Sequence, residues 1–422
     1  MTEALGSTET VGLTRLEADW LFTGSGPLVR SGVVVVQGDT ILAAGSSDDV
    51  GPTPGAAVRR LGDVTLMPGM IDVHVHLTGE RQYGRVFPNH ALEALRAAQD
   101  ARRLLFSGFT TVRDCGSNVS IALRDTIAEG TTLGPTVVAA GPAISQTGGH
   151  TDWHALPYEL MKVINDRMVV DGETECRKVI RRLVRERADF IKICTTGGVG
   201  TMYDHMLDEH FTVHEITVMV EEAHRANRRV AAHAQGKAGI LNAVRAGVDT
   251  VEHGYFLDQE CVDEMLARGT MLVPTFGLSD IFRETLKTPE MLPPWRREKQ
   301  PQCLAAMEAS FPLAWQAGIP IAVGSDSIGM PGREFGKSAE EVISMVKSGG
   351  LPTELALEFA TRGGARAIGR ESEIGAFAPG MNADVIAVHG RPTDEIENLR
   401  RVQFVMKNGA VIKEQEGEPI GR

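Results

Sequence analysis

Eight short apolar runs alternate with amphipathic helical stretches between about Pro68 and about Pro379, and this alternation restricts the fold more than any other feature. The runs are Met70–Leu77, Phe109–Asp114, Thr136–Gly141, Asp189–Thr195, Arg229–His233, Thr250–His253, Thr270–Pro274 and Ile319–Ser325. Each leads into polar or Gly-rich sequence and then a helix, as successive βα units of a parallel sheet do. Eight units in about 310 residues predict an α/β fold, a (β/α)8 TIM barrel with a few long loops. Helix starts agree with this division. Asn89 is placed to cap a helix over Ala91–Leu105, and Thr212 with Glu215 spells a capping box before Ile216–Ala226. The stretch Phe276–Gln302, rich in proline and charge, is the longest insertion and is read as a lid.

Outside this alternation both chain ends are β-rich. Gly32–Gln37 and Thr40–Ala44 lie near the start; Ala383–Val388, Val402–Lys407 and Ala410–Lys413 lie near the end, with Asn408-Gly409 as a hairpin turn. Neither end has enough apolar sequence to bury a sheet alone. Residues 1–68 and 379–422 are therefore expected to form one composite β-sandwich domain beside a barrel of residues 69–378.

Composition removes several function classes. Lys and Arg number 43 against 55 Asp and Glu, a formal charge of −12, and no basic run interleaved with aromatics occurs, so no nucleic-acid partner is expected. No apolar run is long enough to span a bilayer, so no membrane partner is expected either. The cysteines Cys115, Cys176, Cys194, Cys261 and Cys303 are odd in number and show no CxxC spacing, which favours reduced core thiols. Met1–Arg15 has neither a basic start nor an apolar stretch, and a cytoplasmic location is expected.

The chemistry lies at the ends of the apolar runs. In Ile71-Asp72-Val73-His74-Val75-His76, side chains two apart share a strand face, so His74 and His76 converge as a pair suited to a zinc-like ion. A hydrogen-bonded histidine pair would show the same spacing. Lys192, within Phe190-Ile191-Lys192-Ile193, points into the barrel where an unpaired ammonium is costly, so it must be neutralised or modified. His233 ends Val230-Ala231-Ala232-His233, His253 ends Thr250-Val251-Glu252-His253, and Asp326 follows Ile321–Ser325; barrel enzymes keep their reactive groups at such positions.

The order His-x-His, Lys, His, His, Asp resembles the amidohydrolase superfamily. So do Pro68-Gly69-Met70-Ile71-Asp72, Val251-Glu252-His253-Gly254, Gly324-Ser325-Asp326 and Ile374-Gly375 with Pro379-Gly380 and Ala383-Asp384. Gln146-Thr147-Gly148-Gly149-His150 and Thr195-Thr196-Gly197-Gly198-Val199 are similar to a narrower group, which holds imidazolonepropionase-like proteins, Xaa-Pro dipeptidases and ochratoxin-degrading amidases. The resemblance implies two divalent ions, zinc above all. His74, His76 and Asp326 would hold one, His233 and His253 the other, and a carboxylated Lys192 would bridge them. It further implies attack of a metal-bridged hydroxide on a scissile carbonyl, with Asp326 moving the proton and His150 donating to the carbonyl oxygen.

The expected substrate is a small molecule with an amide bond: a dipeptide, an N-acyl amino acid or an ochratoxin-type amide. An aryl urea, carbamate or similar xenobiotic is the alternative. Beside His150, the residues placed to touch it are Tyr203, His205, Tyr255 and Arg333. Met202-Tyr203-Asp204-His205-Met206 departs from the Ser-Pro-bearing loop of the dipeptidases, which leaves the substrate open. A mononuclear deaminase would lack Lys192, and a non-catalytic scaffold would have lost ligands. Asp114 is read as loop support, Cys194 as a packed thiol, and His154, His214, His224 and His389 as solvated or satisfied. A homo-oligomer is expected.

Overall fold

The computed structural model describes residues 12–78, 89–152, 154, 156–160 and 169–414. Most of the Met1–Arg15 segment, where a leader would begin, lies outside them. The amino-terminal part forms β1 (Leu13–Leu21), β2 (Val29–Gln37), β3 (Thr40–Ser46), β4 (Ala57–Arg60) and β5 (Val64–Pro68). The middle carries β6 (Met70–Val75), β7 (Phe109–Asp114), β8 (Thr136–Ala139), β9 (Phe190–Cys194), β10 (Arg229–Ala234), β11 (Thr250–His253) and β12 (Met271–Val273). β13 (Val385–His389), β14 (Val402–Lys407) and β15 (Ala410–Glu414) close the chain.

The two ends meet in one eight-stranded sheet, ordered β15-β14-β13-β5-β1-β2-β3 with β4 alongside β1. The join is β5 with β13, antiparallel from Pro68↔Val385 to Val64↔His389. Leu16, Val34, Ile41, Leu66, Val385 and Phe404, from six different strands, share a single apolar cluster. The turn from β14 to β15 has Asn408 at φ 47° and Gly409 at φ 75°, the left-handed pair that a two-residue hairpin needs. A Cβ on Gly409 would sit 1.8 Å from the Gly38 carbonyl oxygen, so only glycine fits.

The middle of the chain forms two parallel sheets, β6-β7-β8 and β12-β11-β10-β9. Helices follow most of these strands, including His90–Phe106, Gly172–Arg185, Val213–Arg225, Lys237–Ala246 and Gln259–Arg268. Asn89 caps the first by accepting from the Leu92 N–H at 3.1 Å, and Thr212 and Glu215 form both bonds of the capping box. Single bridges join the sheets at their margins: Ile144↔Ile193 on one side, Leu272↔Ile321 and Val75↔Ser327 on the other.

The run Ile319–Ser325 does not form a laddered strand. It lies between β12 and β6, bonded to Leu272 through the Pro320 carbonyl and the Ala322 N–H at 2.9 and 3.1 Å and to the Val73 N–H through the Val323 carbonyl at 2.8 Å. But Pro320 has no N–H to donate, the Val323 N–H turns to the Phe359 carbonyl at 3.4 Å, and the Ser325 N–H to the Asp72 carboxylate at 3.0 Å. Phe276–Gln302 is likewise more ordered than the sequence suggests. It contains the helix Leu278–Thr285 and the first third of a long helix, Pro294–Gln316, which starts on proline where a missing N–H costs nothing. Among the described residues no helix is long and apolar enough to cross a membrane. All five cysteines are buried and unpaired.

Candidate active site

β6 carries His74 near its end and leads directly into His76. Its pairing with β7 shifts register between Asp72 and Val75, and there the Asp72 carboxylate accepts from the His74 N–H at 3.2 Å while its other oxygen takes the Ser325 hydroxyl at 2.6 Å. His74 is buried, and its Nδ1 lies 2.7 Å from Glu252 Oε2. Glu252 is itself gripped by the Arg113 guanidinium at 2.7 Å and by the Thr250 hydroxyl. A carboxylate on Nδ1 keeps the proton there and leaves Nε2 as a lone-pair donor facing the cavity. Burial and the neighbouring Lys192 ammonium push His74 down to about 4, so the imidazole is neutral, as a ligand must be. Burial alone would push Glu252 up, but Arg113, Lys192 and His74 hold it well below the usual carboxylate range.

Asp326 Oδ1 lies 3.3 Å from His76 Nε2 and 3.7 Å from His74 Nε2, and one ligand atom from each of the three falls within 4.8 Å of the others. His76 is oriented by the Gly116 carbonyl, 3.2 Å from its Nδ1. Burial acts to raise Asp326, but Arg333, His76 and His74 keep it well below its ordinary value. His74, Cys115 and Glu252 are equally close, yet burial pushes the Cys115 thiol up to about 12, so it stays protonated.

His233 and His253 stand beside this group. Their ring centroids are 4.5 Å apart, and His253 is 5.1 Å from His74. Thr275 Oγ1 fixes His253 Nδ1 at 2.9 Å. Burial, then nearby imidazoles and Lys192, hold His233 and His253 well below the ordinary histidine value. Both His253 and Asp326 adopt positive φ, 75° and 53°, a conformation disfavoured for L-residues and concentrated at functional sites. Lys192 is buried, and its Nζ has no hydrogen-bond partner. An unpaired ammonium among three imidazoles is costly. The donor set is one that a carbamate on Lys192 and two divalent ions would satisfy.

The remaining expected contacts divide. His150 stacks on His233 with centroids 4.0 Å apart. Tyr255 is buried against His253 with its hydroxyl 3.1 Å from Thr275 Oγ1, and Arg333 is bonded to Asp326. Tyr203 is 74% exposed, and His205 Nδ1 accepts from the Leu207 N–H at 3.3 Å. His154, read from sequence as solvated or satisfied, accepts from the Tyr203 N–H at 3.3 Å and stacks on Tyr203 with centroids 5.9 Å apart. The Asp114 carboxylate accepts from the Leu77 and Gly116 N–H groups at 2.6 and 3.1 Å, so it supports the loops beside His76. Glu252, Arg113 and Thr275 are positioning groups that sequence reasoning passes over; the only signal is Glu252 within Val251-Glu252-His253-Gly254.

Neutral imidazoles and an ionised carboxylate converging at the ends of parallel strands define the metal-dependent hydrolase class of site. The chain belongs to the amidohydrolase family, whose pattern matches residues 65–412, and it hydrolyses amide-type carbon–nitrogen bonds. It is 31% identical to ochratoxinase from Aspergillus niger over 97% of this chain and 88% of that one. A Xaa-Pro dipeptidase with methionine bound in its active site superposes with a TM-score of 0.88 at 31% identity, covering 95% of this chain and 100% of the other. A prolidase complexed with N-methylphosphonate-L-proline superposes at 0.86 with 29% identity, covering 96% and 100%.

Proposed function

We propose that this enzyme hydrolyses the amide bond of a dipeptide or N-acyl amino acid, prolidase-like or ochratoxin-like in substrate, with two divalent ions, zinc above all. His74, His76 and Asp326 would hold one ion, His233 and His253 the other, and Lys192, carboxylated, would bridge them. The observation that carries this reading is the buried Lys192 Nζ without a partner among three neutral imidazoles. Bound there, the ions would acidify a water from a pKa of about 15.7 towards about 7 and polarise the scissile carbonyl.

The chain's own groups do the rest. Asp326, ionised at neutral pH, takes the proton released when the water oxygen bonds to the carbonyl carbon, and returns it to the nitrogen as the C–N bond breaks. His150 donates to the carbonyl oxygen as charge builds on it. Tyr203, His205, Tyr255 and Arg333 are the groups assigned to contact the rest of the substrate; of these Tyr203 is exposed, while Tyr255 is buried against His253 and Arg333 is bonded to Asp326.

Two architectural readings go with this function. The parallel sheets, with single bridges at both margins, support one closed (β/α)8 barrel over residues 69–378. The common apolar cluster of the end strands supports a composite β-sandwich domain of residues 1–68 and 379–422.

The test is metal analysis together with turnover of N-acyl amino acids, dipeptides, aryl ureas and carbamates by metal-loaded protein. About two ions per chain and turnover confined to carboxylate-bearing amides are expected. Exclusive turnover of ureas or carbamates would replace the substrate class, and one ion per chain would remove the bridged mechanism.

A further inference from the structure

His150 is held by the loop of residues 197–204, which follows β9 (Phe190–Cys194). Its Nδ1 lies 3.1 Å from Thr201 Oγ1 and 3.6 Å from Asp204 Oδ2. Its ring rests so closely on Gly198 that a Cβ there would fall 2.1 Å from His150 Cε1. The same loop sends the Gly197 carbonyl to His233 Nε2 at 3.1 Å. The position of His150 therefore depends on the shape of residues 197–204.

That shape is set from far away in the sequence. Lys299, on the helix Pro294–Gln316, is 4% exposed and aims its ammonium into the loop. Its Nζ donates to the Thr201 carbonyl at 2.8 Å, to the Gly198 carbonyl at 3.1 Å and to the Asp204 carbonyl, and lies 3.4 Å from Asp204 Oδ1. An ammonium has three donors, and this one spends all of them on one turn of backbone. Asp204 completes the turn by accepting from the Gly198 N–H at 3.1 Å and from the Thr201 hydroxyl.

We infer that Lys299 and Asp204 are positioning residues for His150: Lys299 closes the 197–204 loop, and Asp204 faces the His150 Nδ1 edge so that Nε2 is directed at the substrate. This inference rests on the proposed role of His150 at the substrate carbonyl. Without the ammonium, three carbonyl oxygens lose a donor and the buried Asp204 carboxylate loses the lysine cation beside it, all at once, which is costly in a buried turn. The loop then opens, and the ring loses its support on the Gly198 side.

The experiment uses the full-length, metal-loaded enzyme and its best amide substrate, comparing Lys299→Met, Asp204→Asn, His150→Ala and the pairwise combinations with wild type. The expected result is a kcat reduced about 10- to 100-fold in Lys299→Met with metal content unchanged, and no further loss when Lys299→Met is added to His150→Ala. Lys299→Arg, which keeps the charge, should recover part of the rate. Hydrogen exchange of residues 197–205 should rise in Lys299→Met, and the His150 ring resonances of 15N-histidine-labelled protein should shift in Asp204→Asn. Additive losses, or Lys299→Met and Asp204→Asn keeping wild-type kcat and His150 resonances, overturn the inference. If His150→Ala alone keeps full activity, the role given to His150 is wrong instead, and the ring resonances still decide whether the two residues position it. If Lys299→Met does not fold, Asp204→Asn and Lys299→Arg carry the same comparisons.

Discussion

His74 Nδ1 sits 2.7 Å from Glu252 Oε2, a contact across 178 residues of sequence that fixes which nitrogen His74 offers to the cavity. Glu252 is the hub of this arrangement, since Arg113 and Thr250 hold its other oxygen. Glu252→Gln keeps the shape but removes the charge that holds the Nδ1 proton. Metal affinity or kcat should fall about 10- to 100-fold, as for other supporting carboxylates behind histidine ligands. Titration of apo protein with zinc under a competing chelator reads this directly. Unchanged affinity together with unchanged kcat would show that His74 keeps its tautomer without help.

Arg333 gives a different kind of prediction. Its Nη2 lies 2.5 Å from Asp326 Oδ2, and its Nε donates to the Asp326 carbonyl at 2.7 Å, so the guanidinium spans side chain and backbone of a residue at φ 53°. If Arg333 chiefly holds Asp326 in place, Arg333→Met should lower kcat about tenfold or more and leave KM within about threefold. If it chiefly grips the substrate, KM rises and kcat stays. Arg333→Lys cannot make the two-point contact and should resemble Arg333→Met.

How much of the fold and the site is legible in the sequence differs from residue to residue. The ligand set is visible because each member ends a short apolar run, and strand periodicity places a side chain from its immediate neighbours alone. β1 has no continuous apolar run, yet Leu16, Ala18 and Trp20 alternate with Arg15, Glu17 and Asp19, a strand signal that the sequence reading passes over; Arg15 pairs with Glu17 at 2.7 Å. The eighth run reads as a strand, yet only its Ala322 N–H bonds a neighbouring strand, at Leu272, while those of Val323 and Ser325 go to Phe359 and Asp72, partners that no local pattern reveals. Lys299 is the extreme case. It lies 101 residues from Gly198 and looks like one more charge in an insertion, because what makes it matter is a set of backbone carbonyls that carry no sequence signature.

Stability should depend on a buried ion pair where the chain ends meet. Lys407 Nζ lies 2.8 Å from Asp384 Oδ2, and Asp384 also accepts from the Asn408 N–H at 2.9 Å, bracing the hairpin turn. Lys407→Met would leave a buried carboxylate uncompensated and should cost about 3–5 kcal/mol. The double change Lys407→Met with Asp384→Leu should recover part of that loss, because replacing both partners removes the lone charge. Urea unfolding of wild type and the two variants checks the order, and a single variant as stable as wild type would show that water reaches Asp384.

Lys192 Nζ is buried and without a hydrogen-bond partner beside three histidines that burial keeps neutral. An ammonium there repels cations, whereas a carbamate supplies two oxygens of opposite charge to the ions. Lys192→Ala should therefore lower metal content below two ions per chain and reduce turnover by about a thousandfold, the equivalent of about 4 kcal/mol in the barrier. Labelling with 13C-bicarbonate should give a carbamate resonance in wild type that is missing from the variant. Formate or acetate, small enough to enter the space the side chain leaves, should restore part of both metal content and rate. A lysine that only fills space could not be replaced by a carboxylate. If Lys192→Ala retains two ions and the wild-type rate, the bridged site is wrong, and a mononuclear centre built on His74, His76, His233 and Asp326 becomes the reading to test.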